Sequence, residues 1–207
     1  MGWLFAAIYD PFMAAAERAC LQQWRGALLA DVAGHVLEIG AGTGQSLVHY
    51  PPTVQRLVLA EPDRHMRARL RGRVPAALAG RVEIIDAPGD RLPFAANSFD
   101  AVVSSLVLCT VPDPEATIAE IVRVLAPGGR LLFLEHVADD ERPDRLRWQI
   151  RLEPLWKRLA GGCHLTRRTH ETIAAAGLRL EQVERASMRK ANPLTRRSIR
   201  GVARKPA

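Results

Sequence analysis

Short apolar runs alternate along the chain with stretches whose apolar residues recur at helical spacing. VLEI (36–39), RLVLA (56–60), VEII (82–85), AVVSSLVL (101–108) and RLLFLEHV (130–137) have the length and branched-aliphatic content of buried strands. Between them, DRHMRARLRGRV (63–74) and EATIAEIVRVLA (115–126) carry the helical period, with Ile118, Ile121, Val122 and Leu125 on one face of the second. Asp113-Pro114 opens that helix and Pro127-Gly128-Gly129 closes it. After residue 137 the pattern turns helix-rich: Trp148, Leu152 and Trp156 follow at four-residue steps, interrupted by Pro154, and TRRTHETIAAAG is a second helix stopped by Gly177. LRLEQVERAS and SIRGVARK close the chain as two strands. Strands alternating with helices over short links need a parallel sheet covered on both faces. The pattern therefore predicts an α/β fold: a doubly wound, mostly parallel seven-stranded sheet with helices on both faces and an antiparallel C-terminal edge strand.

Composition narrows the setting. A chain of 207 residues, 48% of them hydrophobic, fills one domain. Cys20, Cys109 and Cys163 are too scattered for a disulfide framework, so a reducing, cytoplasmic setting is expected. No apolar run reaches the roughly 20 residues that span a bilayer. The start, MGWLFAAIYDPFMAAA, is broken by Asp10 and Pro11 and reads as an amphipathic lid or surface-contact segment. The formal charge of +7 suggests acidic partners, although only three of the 29 basic residues are lysines, a bias that genome composition also produces. Eight Arg or Lys and no acid lie between 185 and 205, which reads first as a solvated face and second as peripheral contact with an anionic membrane. Nucleic acid is not an expected partner, because no basic–aromatic stacking platform is present. The sequence does not set the oligomeric state.

The candidate chemistry begins at VLEIGAGTG (36–44). A dinucleotide loop would place its third glycine at Gln45, whereas here it falls at Gly44, and no lysine of a phosphate loop follows. Glu38 shares a strand face with Val36 and Gly40. A carboxylate there would repel a diphosphate but neutralise an ammonium or sulfonium; the alternative is satisfaction by local backbone donors. S-adenosylmethionine has an adenosine, no phosphate, an α-amino group and a sulfonium. Glu61, in LAEPD, lies 17 residues after Gly44, close to the ~20-residue offset at which an acid meets ribose hydroxyls.

VLEIGAGTG, LAEPD, DRLPFAANSFDAVVSSLVLCTV and EIVRVLAPGGRLLFLEH, in order and spacing, resemble the class I S-adenosylmethionine-dependent methyltransferases, in particular the UbiE-like branch. YDPFM, HYPP, APGD, LVLCTV, EHV and PLWKRLAGGCHLTR are similar to the methyltransferase-like-7 group of thiol methyltransferases and extend the resemblance over nearly the whole chain. The resemblance implies that Gly40, Gly42 and Gly44 approach the methionine part and that Glu61 holds the ribose. The family's adenine-binding aspartate aligns with Pro88, which leaves Asp86, Asp90 or the Gly89 amide for that contact. Ser104 and Leu106 would lie near the sulfonium. The chain then divides into N-terminal lid helices (1–33), a cofactor-binding core (34–137), a helical substrate cap (138–177) and C-terminal strands (178–207).

The implied reaction moves a methyl group to a small-molecule acceptor, an alkyl thiol being the leading choice. A thiol must be presented as thiolate, which nearby cations favour. Candidate helpers are His136, and His164 with Arg167; Tyr9 and Asp10 are candidates for a lid over the cofactor. No metal is expected, since Cys163-His164 with His170 matches no zinc spacing, and Cys109 reads as a small core residue. The competing functions are N-methylation of a phospholipid head group, C-methylation of a quinone precursor, and S-adenosylmethionine binding without catalysis.

Overall fold

The computed structural model describes residues 2–207. Strands β1 (Gly34–Ile39), β2 (Val54–Ala60), β3 (Val82–Ile85), β4 (Phe99–Ser105) and β5 (Leu125–His136) run parallel; β6 (Arg179–Ser187) and β7 (Arg197–Arg204) complete the seven-stranded sheet. The order is β3-β2-β1-β4-β5-β7-β6. β7 pairs antiparallel with both β5 and β6, so the antiparallel strand expected at the C-terminus sits one place inside the edge and β6 forms the edge itself. Burial agrees with that order: Ser198, Ile199, Gly201 and Ala203 of β7 are buried, whereas most of β6 is open to solvent.

Strand order reverses between β1 and β4, and ligands of such sheets bind beyond the carboxyl ends at that point. The two loops leaving there meet: a Cβ on Gly40 would fall 2.6 Å from the Val107 side chain. Helices α4 (Pro114–Val124) and α6 (Thr169–Ala175) cover one face, where Ile118, Ile121 and Ile173 pack with Leu37, Ile39 and Phe133. Full burial of each of these aliphatic side chains is worth roughly 1.5–3 kcal/mol. On the other face Leu29 of α2 (Gln22–Leu29) and Leu70 of α3 (Arg64–Arg71) meet Val36, Leu57 and Val103. α4 begins where Asp113 accepts from the Ala116 amide at 3.0 Å and Pro114 fills the first turn, as the sequence signals.

Two regions depart from simple expectation. Pro154 does not break α5 (Pro143–Leu159), which runs for 17 residues. Trp148 on that helix is 55% exposed and therefore no core residue, while Trp156 turns inward. The N-terminal segment runs as α1 (Trp3–Ala16), a π-helical turn (Glu17–Leu21) and α2, and packs Ala16, Cys20 and Leu21 over Leu134 at the end of β5. π turns inside helices recur at functional sites. No helix among the described residues is long and apolar enough to cross a membrane.

Candidate functional site

The glycine loop is braced by carboxylates. Gly40, Gly42 and Gly44 all have positive φ, at 55°, 56° and 86°, a region glycine adopts without the cost a side chain brings. Glu61, at the end of β2, is buried and accepts from the Gly42 amide at 2.9 Å and the Asp63 amide at 2.8 Å. Burial raises its pKa and those two amides work against the rise. Each Glu61 oxygen keeps a lone pair for a hydroxyl. The loop faces open space at Gly42, where a Cβ would meet nothing nearer than the Gly40 carbonyl at 3.8 Å. These residues fit a ribose and an amino-acid moiety.

Glu38 lies on the expected face, yet its oxygens are taken by the Ser46 hydroxyl at 2.7 Å and the Tyr50 hydroxyl at 2.8 Å. It therefore ties the loop down from below, using side-chain hydroxyls rather than the local backbone donors considered above. Burial raises its pKa against those two bonds. From above, Asp10 of α1 clamps the same loop, accepting from Thr43 at 2.7 Å, Gln45 at 2.9 Å and Arg73 at 2.6 Å. Burial pushes the Asp10 pKa up, but the three donors outweigh it and hold the carboxyl below its usual range. Asp10 is thus a latch for the N-terminal helix, fully engaged by donors and not free to move a proton.

The other side of the switch point is organised by Glu135, fully buried at the end of β5. It accepts from Ser104 Oγ at 2.8 Å and from the amides of Val107, Leu108 and Cys109 at 3.1, 3.1 and 3.3 Å. Burial raises its pKa despite these donors. Leu106 enters that loop at φ 61°, an uncommon conformation for a leucine, and its side chain packs under α1. Ser104 is turned into this brace with no exposed surface. Arg25 of α2 reaches the next residue, Ser105, at 3.1 Å and pairs with Glu17 at 2.5 Å, both nearly without solvent.

Beyond Glu135 the fold gathers three groups that are far apart in sequence. The ligand-type atoms of Cys109, His136 and Cys163 all lie within 4.8 Å of one another, and His136 Nε2 is 2.7 Å from Cys163 Sγ. The Cys109 thiol, then the His136 ring, draw the Cys163 pKa down to about 4 against the effect of burial. Burial lowers the His136 pKa, but the Cys163 sulfur more than compensates, and the net shift is upward. Cys109 is therefore part of a polar cluster, not inert core. Tyr9 of α1 hangs over this side: burial raises its phenol pKa, and Arg25, Glu17 and Cys109 all act on it.

Other expected residues lie elsewhere. His164 pairs with Glu153 at 3.2 Å, on a carboxylate that also accepts from the Leu165 and Thr166 amides. It therefore stiffens the turn after α5, and its amide donates to the Cys109 carbonyl at 2.8 Å. Arg167 does approach, donating to the Leu108 and Val111 carbonyls. Asp86 is engaged by Arg67 at 2.6 Å, Asp90 is exposed, and Gly89 packs against Thr117 and Ile39. The basic run at the C-terminus is largely consumed internally. Arg197 pairs with Glu141, Arg204 with Glu181 at 2.6 Å, Arg200 stacks 4.6 Å over Trp24, and Lys205 donates to the Val122 and Leu125 carbonyls. Sequence reasoning missed Arg25, Arg73 and the joining of Cys109 to Cys163; none has a local spacing signal.

Residues 37–133 match the family described as a methyltransferase domain. Thiol S-methyltransferase TMT1B of Homo sapiens is 36% identical over 175 residues, covering 84% of this chain and 71% of that protein. Thiol S-methyltransferase TMT1A of Homo sapiens is 32% identical over 190 residues, covering 87% and 75%. Against TMT1B of Rattus norvegicus the match is 38% over 151 residues, and the chain spans 62% of that protein's length. Among solved structures, geranyl diphosphate methyltransferase in complex with SAM superposes with TM-score 0.72 at 15% identity, covering 92% of this chain and 85% of that one. The 4+2 cyclase SpnF superposes with TM-score 0.70 at 21% identity, covering 90% and 80%. Such distant likeness carries the fold alone, and the two names show that this fold hosts different chemistries.

Proposed function

The chain belongs to the class I S-adenosylmethionine-dependent methyltransferases, and from that premise we propose that it methylates the sulfur of a small alkyl or aryl thiol. One observation carries the choice of sulfur. The 190-residue likeness to a thiol S-methyltransferase is far longer than the 37–133 domain match, so it takes in segments outside the cofactor-binding core. At 87% coverage of the chain, those segments include the turn holding Cys163.

Bound S-adenosylmethionine supplies an electrophilic methyl on a sulfonium. Gly40, Gly42, Gly44 and Glu61 would hold it, and everything else falls to the chain. The departing thioether needs no proton, so no general acid is required. Aligning nucleophile, methyl and sulfur can account for ~7–11 kcal/mol of barrier. The β4 loop, fixed by Glu135, supplies a rigid wall for that alignment, and α1, latched by Asp10, excludes water, which favours a step that disperses positive charge. The guanidinium of Arg167 beside the β4 loop favours a thiolate there.

We place the protein in the cytoplasm with peripheral contact to an anionic membrane. The basic C-terminus lends this little support, since its charges are mostly paired. Support comes from Trp3, Leu4, Ile8 and Phe12, each more than half exposed along α1. The acceptor reading is tested by offering alkyl and aryl thiols, phosphatidylethanolamine and a demethylquinone with the cofactor, and identifying products by mass spectrometry. A methylated thioether is expected; methylation of the amine or quinone alone would replace the reading with one of its competitors.

A further inference from the structure

Sequence spacing offered no metal site, and the fold uses other residues than the ones considered there: His164 is held by Glu153 and His170 lies against Arg185. Cys109 comes instead from the loop after β4, His136 from the end of β5 and Cys163 from the turn after α5. We propose that Cys109, His136 and Cys163 are the three protein ligands of a thiophilic divalent cation, zinc by the nature of the donor set, whose fourth position takes the acceptor thiol as thiolate. The fourth ligand rests on the thiol reading of the function; the metal site does not.

The geometry suits this. Zinc lies about 2.3 Å from sulfur and about 2.0–2.1 Å from imidazole nitrogen, so tetrahedral ligand atoms sit roughly 3.5–3.8 Å apart. The three atoms here lie within 4.8 Å of one another. The 2.7 Å separation of His136 Nε2 and Cys163 Sγ would open by about 0.9 Å on loading, within reach of side-chain rotation. The two sulfurs are held in register by backbone: the Cys109 carbonyl accepts from the His164 amide at 2.8 Å, and the Cys163 amide donates to Ala160 at 3.2 Å. Three ligands with one open position is the pattern of catalytic rather than structural zinc.

A further observation favours a cation here. The charges balance: two thiolates and a neutral imidazole around a dication sum to zero, which suits a site where all three residues are nine-tenths buried or more. The acceptor thiol would release its proton to solvent on coordination. Its sulfur then forms the S–CH3 bond with its own electron pair, while the donor C–S bond breaks with its pair remaining on the donor sulfur. The metal changes no oxidation state, and the uncharged thioether is a weaker ligand that leaves.

The test is metal content and cobalt spectroscopy on the full chain. Protein purified without chelator should hold one equivalent of zinc by mass spectrometry of the metal. Cobalt should replace it with the intense visible bands of a tetrahedral thiolate site, and a small alkyl thiol should add to the sulfur-to-cobalt charge transfer. Cys109→Ser and Cys163→Ser should each weaken metal binding by at least about 100-fold; Cys20→Ser, a buried cysteine outside the cluster, should leave it unchanged. Metal-free protein whose cobalt spectrum is the same in all four chains, or whose Cys109 and Cys163 are joined by a disulfide, would overturn the site. Stoichiometric cobalt with no response to thiol would overturn the fourth ligand. Stoichiometric, thiol-responsive cobalt without thioether product would leave the site standing and sink the thiol methylation reading instead.

Discussion

The two loops at the switch point are each held by a buried glutamate one strand from the other, and they are built by different means. Glu38 secures the glycine loop through two hydroxyls, Ser46 and Tyr50. Glu135 secures the β4 loop through one hydroxyl and three backbone amides. Hydroxyls can rotate to another acceptor or to water, whereas backbone amides are fixed by the chain. The acceptor side is consequently the more brittle half of the site, although the glycine loop looks the more specialised in sequence.

The largest effect expected from this difference is on stability. Glu135→Ala strands three immobile donors, and removing one side of such a buried charged network costs roughly 3–5 kcal/mol. Glu38→Ala leaves two rotatable hydroxyls and should cost about 1–3 kcal/mol. Urea unfolding of the two variants measures the gap; equal losses would show that the two braces are equivalent.

The same contrast explains what could be read from the sequence. The cofactor side uses residues close in sequence, so the placing of Glu38, the glycines and Glu61 around one loop was legible, whereas the engagement of Glu38 by Ser46 and Tyr50 was not. The strands and α4 with its Asp113-Pro114 start followed from periodicity and punctuation, whereas the insertion of β7 between β5 and β6 did not. The acceptor side joins residue 109 to 136 and 163, and no local pattern announces contacts that depend on where the turn after α5 lands. His164 looked chemical because it neighbours Cys163, yet successive residues point apart, and Glu153 claims its ring. Arg25 and Arg73 were likewise hidden, because their partners Ser105 and Asp10 lie in other elements. The C-terminal basic run misled for the opposite reason: its charges are consecutive in sequence but meet acids and carbonyls across strands.

A smaller effect belongs to the α1 latch. Asp10 has a folded pKa below the unfolded value of 3.8, so its contribution is fully present above that value and fades as pH falls through the lower, folded value. Asp10→Asn should therefore cost about 0.5–1 kcal/mol at neutral pH, measured by thermal unfolding. The difference from the parent chain should shrink below pH 3.8. The latch holds only one face of the cofactor loop, so the variant should bind S-adenosylmethionine a few fold more weakly. A pH-independent difference would mean that Asp10 acts by packing alone.

The division of labour is tested most directly by titrating S-adenosylmethionine calorimetrically into the parent chain, Glu61→Ala and Cys163→Ser, with turnover of an alkyl thiol followed at saturating cofactor. Glu61→Ala should lose on the order of 10–100-fold in cofactor affinity, as expected for removing charge-assisted bonds to two hydroxyls. Cys163→Ser should bind the cofactor as the parent does and lose thiol turnover. Equal loss of cofactor affinity in both variants would contradict a site with separate cofactor and acceptor halves.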